Sequence, residues 1–129
     1  MANALCDTCV FIDYWRGDPG ARRIIEDILA RRTTASASPM TTVEIFQSPF
    51  MSRQEEIQFR ALLLLLEEAS FDHAVAEAVG VALRPLSRPQ RRKLAADAVI
   101  AVTGLVRGEP IYSRNAKDLQ RFQATVLTY

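Results

Sequence analysis

Apolar residues recur along this chain at two spacings. Short apolar runs bounded by polar or turn residues alternate with longer stretches whose apolar positions fall three or four apart, the pattern of strands alternating with helices. Ala4-Leu5-Cys6 reads as a short buried strand ended by Asp7, and Val10 to Trp15 as a helix that stops near Gly17. Asp18 can cap a second helix with Pro19 at its first position and Ile24, Ile25, Ile28 and Leu29 as its inward stripe. Thr33 to Ala37 is a β-capable segment. Ser38-Pro39 opens a third helix, Met40 to Gln47, which Pro49 stops, and Arg53 to Glu67 reads as a fourth that carries the Leu62–Leu66 run. Asp72 to Leu83 is a fifth. Arg84 to Lys93, RPLSRPQRRK, reads as a basic loop broken by proline. Ala95 to Val106 is apolar nearly all round a helix closed by Gly108; Pro110–Ser113 is a strand, Asn115–Arg121 a short helix and Ala124–Leu127 a last strand. The alternation predicts an α/β fold: helices on both faces of a mainly parallel central sheet. No repeat or linker divides the chain, so residues 1–129 are expected to form one domain.

One residue interrupts the buried helix. Asp97 shares its face with Ile100, Ala101 and Leu105, three, four and eight positions on. An ionised carboxylate among apolar side chains is unfavourable unless a cation or hydrogen-bond donors compensate it. In parallel α/β folds ligands gather beyond the carboxyl ends of the strands. Asp7 directly follows the first strand, Glu44 lies early in the helix after the second, Asp97 near the start of the buried helix, and Asp118 in the helix after the Ile111 strand. Each alone has a plainer reading. Asp7 can cap a helix, Thr41-x-x-Glu44 and Asn115-x-x-Asp118 resemble capping boxes, and Asp97 can be a first-turn acid. Together at equivalent places in one layout they point to a divalent cation. All-oxygen ligands favour Mg²⁺ or Mn²⁺ over zinc, and Mg²⁺ keeps water and binds phosphates. The chemistry expected is phosphodiester hydrolysis by a metal-activated water.

Composition narrows the classes without deciding among them. The net charge is +1 and charged residues make up 24%, so bulk charge names no partner. No apolar run approaches the roughly 20 residues a spanning helix needs, and no membrane role is expected. The first residues lack a charged, hydrophobic leader, and with two cysteines a reducing cytoplasm is the expected compartment. Cys6-x-x-Cys9, at a strand-to-helix junction, offers a thioredoxin-like redox pair as a rival reading. Against it, Cys6 alternates as an interior strand residue, and Asp7 beside it disfavours a thiolate. His73 is the only histidine, which argues against a zinc site.

The segments Cys6-Asp7-Thr8-Cys9-Val10-Phe11-Ile12-Asp13, Thr42-Val43-Glu44-Ile45, Ala96-Asp97-Ala98-Val99-Ile100-Ala101 and Ser113-Arg114-Asn115-Ala116-Lys117-Asp118-Leu119 resemble, in order and spacing, the successive motifs of a PIN-domain ribonuclease. More narrowly, the chain is similar to a VapC-type toxin of a type II toxin–antitoxin pair. The resemblance implies a three-layer α/β/α sandwich and Mg²⁺-dependent endoribonuclease activity on structured RNA. It makes Asp7, Glu44, Asp97 and Asp118 the acidic quartet, with Asp7 and Asp97 most directly tied to the metal and Thr8 and Asn115 in support. It also implies a VapB-type antitoxin as partner and a homodimer. Two positions depart from the pattern: Cys9 stands where Ser or Asn is frequent, and Leu119 where Phe is.

Basic residues flank two of the proposed ligands. Arg91, Arg92 and Lys93 precede Asp97, and Arg114 and Lys117 flank Asp118, so they can form a phosphate-binding rim, although each alone is equally a solvated charge. Phe46, Phe50, Met51, Phe59 and Leu62–Leu66 offer more apolar area than one helix stripe needs; about half should be core and the rest a groove for an antitoxin helix or a dimer seam. A catalytically silent PIN-like module that binds RNA or protein is the alternative from another class.

Overall fold

Five parallel strands, β1 (Ala4–Cys6), β2 (Ala35–Ala37), β3 (Glu67–Glu68), β4 (Ile111–Tyr112) and β5 (Val126–Leu127), form one sheet in the order β3-β2-β1-β4-β5. This computed structural model describes residues 3–129; Met1 and Ala2, which belong to the N-terminal stretch considered above, lie outside the described residues. The chain steps outward from β1 through β2 to β3, then returns to lay β4 against the other side of β1. The order therefore reverses between β1 and β4, and the crevice beyond their carboxyl ends is where α/β sheets bind ligands.

The strands are only two or three residues long, so alternation shows in single pairs. Leu5 and Ile111 point into one apolar cluster, and Cys6 and Tyr112 into the other. On the Leu5 side lie α5 (His73–Leu83), α6 (Arg88–Arg107) and α7 (Ala116–Gln120). On the Cys6 side lie α1 (Thr8–Trp15), α2 (Pro19–Leu29), α3 (Pro39–Phe46) and α4 (Arg53–Leu63). The result is the expected three-layer α/β/α sandwich.

Helix starts follow local chemistry. The side chains of Asp18, Ser38, Ser52 and Asp72 each accept a backbone N–H of their own first turn, and Ser52 and Glu55 complete a capping box. Two expectations are corrected. The segment 84–93 is not all loop: Ser87 caps α6, and Pro89 falls in its first turn, where a missing N–H leaves nothing unsatisfied. Asp97 consequently sits in the middle of a 20-residue helix rather than near its start. The fourth helix ends at Leu63, not Glu67, because the chain turns there to place Glu67–Glu68 as an edge strand beside β2. Gly108, at φ 67°, closes α6 in the left-handed conformation that glycine adopts without penalty. One turn earlier, a Cβ on Gly104 would meet Ile111 at 2.9 Å, so this glycine lets α6 lie close on β4.

Candidate active site

Asp7 leaves β1 and caps α1. Its Oδ1 accepts the Thr8 N–H at 2.8 Å, and its Oδ2 accepts the Ser113 hydroxyl at 2.7 Å. Ser113 can reach it because β4, which it follows, is hydrogen-bonded to β1. Asp7 is buried, and burial pushes its pKa above the ordinary carboxylate value; the bonds from Ser113, Thr8 and the Cys9 thiol pull the other way.

The second acid is aimed by the same turn. The Thr8 hydroxyl donates to Glu44 Oε1 at 2.7 Å and lies 3.0 Å from the buried Thr41 hydroxyl. Residues 41 and 44 are one turn apart on α3, so the side chain after Asp7 fixes where Glu44 stands. Asp97 accepts the Asn115 side-chain amide at 3.2 Å, and the Asn115 N–H in turn donates to Ser113 Oγ at 2.8 Å. Ser113 thus ties the loop that holds Asp97 to the carboxylate of Asp7. Asp118 lies in the first turn of α7, half-buried like Glu44 and Asp97.

The four acids share one electrostatic environment. The Asp97 carboxyl is pushed up to about 6, first by burial and then by the negative charges of Asp7, Asp118 and Glu44, against the pull of the Asn115 amide. None of the four is in an ion pair among the described residues. Nor, among those residues, do three His, Cys, Asp or Glu side chains close into a ready-made cage for an ion. The donor set nonetheless fits a hard divalent cation, since Mg²⁺ is held by one or two carboxylates and fills its remaining positions with water. Glu44 borders a cavity of about 340 Å³ together with Ile12, Ile45 and Phe59.

The remaining sequence expectations divide. Thr8 and Asn115 each hold an acid, as described. Ser113, which touches Asp7, Asn115 and Cys9, stands in the fourth motif quoted above but was given no role at the site. Its position directly after the strand next to β1 was the available signal. Arg91, Arg92, Lys93 and Lys117 are exposed. Lys93 stands one helical turn before Asp97, while the Arg91 guanidinium donates to the Leu86 carbonyl at 2.5 Å. Arg114, expected in the phosphate-binding rim, is paired with Asp13 at 3.1 Å and Asp18 at 2.7 Å. Cys6 and Cys9 are both free thiols, and burial pushes Cys6 up to about 12, the reverse of what a redox pair needs. Of the surplus apolar residues, Phe59, Leu62 and Leu66 are core, whereas Phe50 is 91% and Leu64 81% exposed.

Comparison with known proteins gives a consistent picture. The chain is similar to a chain of a toxin–antitoxin complex from Klebsiella pneumoniae, with 26% identity and a TM-score of 0.68 over 89% of this chain and 88% of that one. It shares the fold of DNA-bound VapBC from Salmonella typhimurium (TM-score 0.72, 19% identity, 99% and 98% covered). The same holds for VapBC2 from Rickettsia felis bound to a promoter DNA fragment (TM-score 0.71, 15% identity, 98% of each chain). No match to a curated protein sequence was found. The PIN domain model matches residues 4–124, a span that takes in all seven described helices and the four strands β1 to β4, and on that extent the chain belongs to the PIN-domain family.

Proposed function

We propose that this chain is a metal-dependent endoribonuclease, the toxin of a VapBC-type toxin–antitoxin pair. The observation that carries the reading is the group of four carboxylates, from the N-cap of α1 and from α3, α6 and α7, in which Asp7, Asp118 and Glu44 add to the burial that raises Asp97, with no ion pair to any of the four among the described residues. Asp7 and Asp97 would hold Mg²⁺ or Mn²⁺, with Glu44 and Asp118 completing the negative surround. When bound, the ion supplies Lewis-acid stabilisation of the phosphoryl oxygens and lowers the pKa of water. The chain's own residues do the positioning. Ser113 and the Thr8 N–H fix both oxygens of Asp7, Thr8 aims Glu44, and Asn115 aims Asp97. Lys93, Arg92 and Lys117 would take flanking phosphates and set the strand across the acids.

The partner reading rests on the Klebsiella, Salmonella and Rickettsia complexes together with the exposed apolar surface of α4. Two grooves of about 400 and 410 Å³ flank that helix, one lined by Phe46, Leu63 and Leu64, the other by Trp15, Phe59 and Leu65. An antitoxin segment with an apolar helical face would cover them; a second copy of the chain is the other occupant expected of this reading.

The test is cleavage of a structured RNA by purified protein with Mg²⁺ or Mn²⁺, with EDTA, and in Asp97→Asn. Cleavage confined to the metal-containing wild-type reaction is expected. A folded protein that binds RNA and never cuts it, whatever the metal, would instead make it a silent binding module.

A further inference from the structure

Beside the acids lies a second charged group that the chemistry above does not use. The Arg114 guanidinium forks between Asp13 Oδ2, at 3.1 Å, and Asp18 Oδ1, at 2.7 Å. Its face lies over the Tyr129 ring, 5.6 Å from the centroid, and the Tyr129 hydroxyl donates to Asp13 Oδ2 at 2.6 Å. Asp13 is buried in α1, and Asp18 caps α2. Tyr129 packs so closely on the first turn of α2 that a Cβ on Gly20 would meet its backbone at 2.9 Å. Three side chains, from α1, the cap of α2 and Tyr129, therefore close on one guanidinium.

The main chain of Arg114 has a partner of its own. Its N–H donates to Cys9 Sγ at 3.4 Å. Its two sequence neighbours each hold an acid: Ser113 bonds Asp7 at 2.7 Å, and Asn115 bonds Asp97 at 3.2 Å. A displacement of Arg114 must move both donors together. On the nuclease reading above, we infer that Arg114, clamped by Asp13, Asp18 and Tyr129, is a positioning residue that fixes the spacing of Asp7 and Asp97 and so sets the affinity of the site for a divalent cation. Groups that orient metal-binding carboxylates without touching the metal commonly change affinity about 10- to 100-fold when removed. Lysine is a poor substitute here, because an ammonium cannot fork two carboxylates and stack on a ring in one pose.

The experiment measures Mn²⁺ binding to the RNA-free protein by electron paramagnetic resonance. The same variants are assayed for binding of a structured RNA hairpin in EDTA across a salt series. Arg114→Ala should weaken Mn²⁺ about 10-fold, Arg114→Lys by an intermediate amount and Tyr129→Phe about 3-fold. The salt dependence of RNA binding should stay as in the wild type, and saturating Mn²⁺ should restore cleavage. A folded Arg114→Ala that binds Mn²⁺ within twofold of wild type, with its salt slope reduced by about one, overturns the inference and makes Arg114 a phosphate contact. Should Arg114→Ala not fold, Tyr129→Phe and Asp13→Asn decide by the same criterion. Asp97→Asn separates the two levels. If it keeps full Mn²⁺ affinity, the acid site itself fails and Arg114 has nothing to position; if it loses affinity while the clamp variants do not, the clamp alone is wrong.

Discussion

The two ends of the sheet solve the same problem in opposite ways. At the amino end, Glu109 is buried just before β4, and its charge is met from within: Arg107 Nε lies 2.8 Å from Oε1, and Ser36 donates to Oε2 at 2.5 Å. Arg107 reaches on to Glu67 at 2.6 Å, so two acids share one arginine. At the carboxyl end, Asp7 and Asp97 receive hydrogen bonds and no cation, and two more acids stand beside them. The fold is therefore able to supply an arginine to a buried carboxylate, as Arg107 does for Glu109 and Arg114 for Asp13, yet supplies none to Asp7 or Asp97 among the described residues. On the nuclease reading proposed above, these four unpaired acids are where a cation from solution would bind.

Neutralising each end should separate these roles. Asp97→Asn is expected to reduce cleavage by about 1000-fold or more, the scale of losing a ligand of a catalytic metal. The same substitution should raise the melting temperature of the metal-free protein near pH 7.5, because it removes a carboxylate that burial and three neighbours disfavour. A loss of stability on top of the loss of activity would break the comparison. At the other end, Arg107→Ala leaves Glu109 buried and unpaired, at a cost of about 3 kcal/mol in urea denaturation, while a folded sample keeps its cleavage chemistry. A cost under about 1 kcal/mol would show that Glu109 does not need its partner.

The contrast also explains what could and could not be read in the sequence. Asp97 stood out because its neighbours at helical spacing are apolar, a local signal. Asp7 and Asp118 stood out because each follows a strand segment. β3 left no such trace: Glu67 and Glu68 are exposed acids whose strand character comes from pairing with Ser36 and Ala37, and charge on an edge strand is a common guard against aggregation. Pro85 and Pro89 read as breakers, yet only position in the helix decides what a proline does, and Ser87 sets that position. The contacts of Ser113, Arg114 and Tyr129 were illegible for a third reason. Their contacts with Asp7, Asp13 and Asp18 cross about a hundred residues and exist only once β4 lies beside β1.

Protons and metal should compete at the carboxyl end. Asp97 moves from an ordinary carboxyl value of 3.8 to about 6, and Asp7 shifts the same way. A carboxyl raised in the folded state favours folding most when protonated. That contribution is present below about pH 4 and is lost as pH rises through 6. Thermal scans without divalent ion should show stability from this end declining between these values, and Asp97→Asn should flatten the decline. Mg²⁺ should restore several degrees above pH 6 and little at pH 5, by binding the folded state alone. A Mg²⁺ effect of equal size at both pH values would mean that the ion binds elsewhere.

The smallest effect is expected at Cys9, the sulfur at this otherwise oxygen-lined end. Its thiol lies 3.8 Å from Asp7 Oδ2 and 3.5 Å from Ser113 Oγ, so it is a weak donor in a place where a hydroxyl would be a stronger one. Cys9→Ser keeps the donor, shortens its reach and adds a hard oxygen beside the carboxylate. Cleavage should change by no more than a few-fold, in the direction of higher activity at limiting Mg²⁺, and reductant should make no difference. Burial of Cys6, pushed up to about 12, already removes the second thiolate that a dithiol mechanism requires. Inactivation by Cys9→Ser together with insensitivity to EDTA would move the chemistry from the acids to the sulfurs, and the distinction between the two ends of the sheet would lose its meaning.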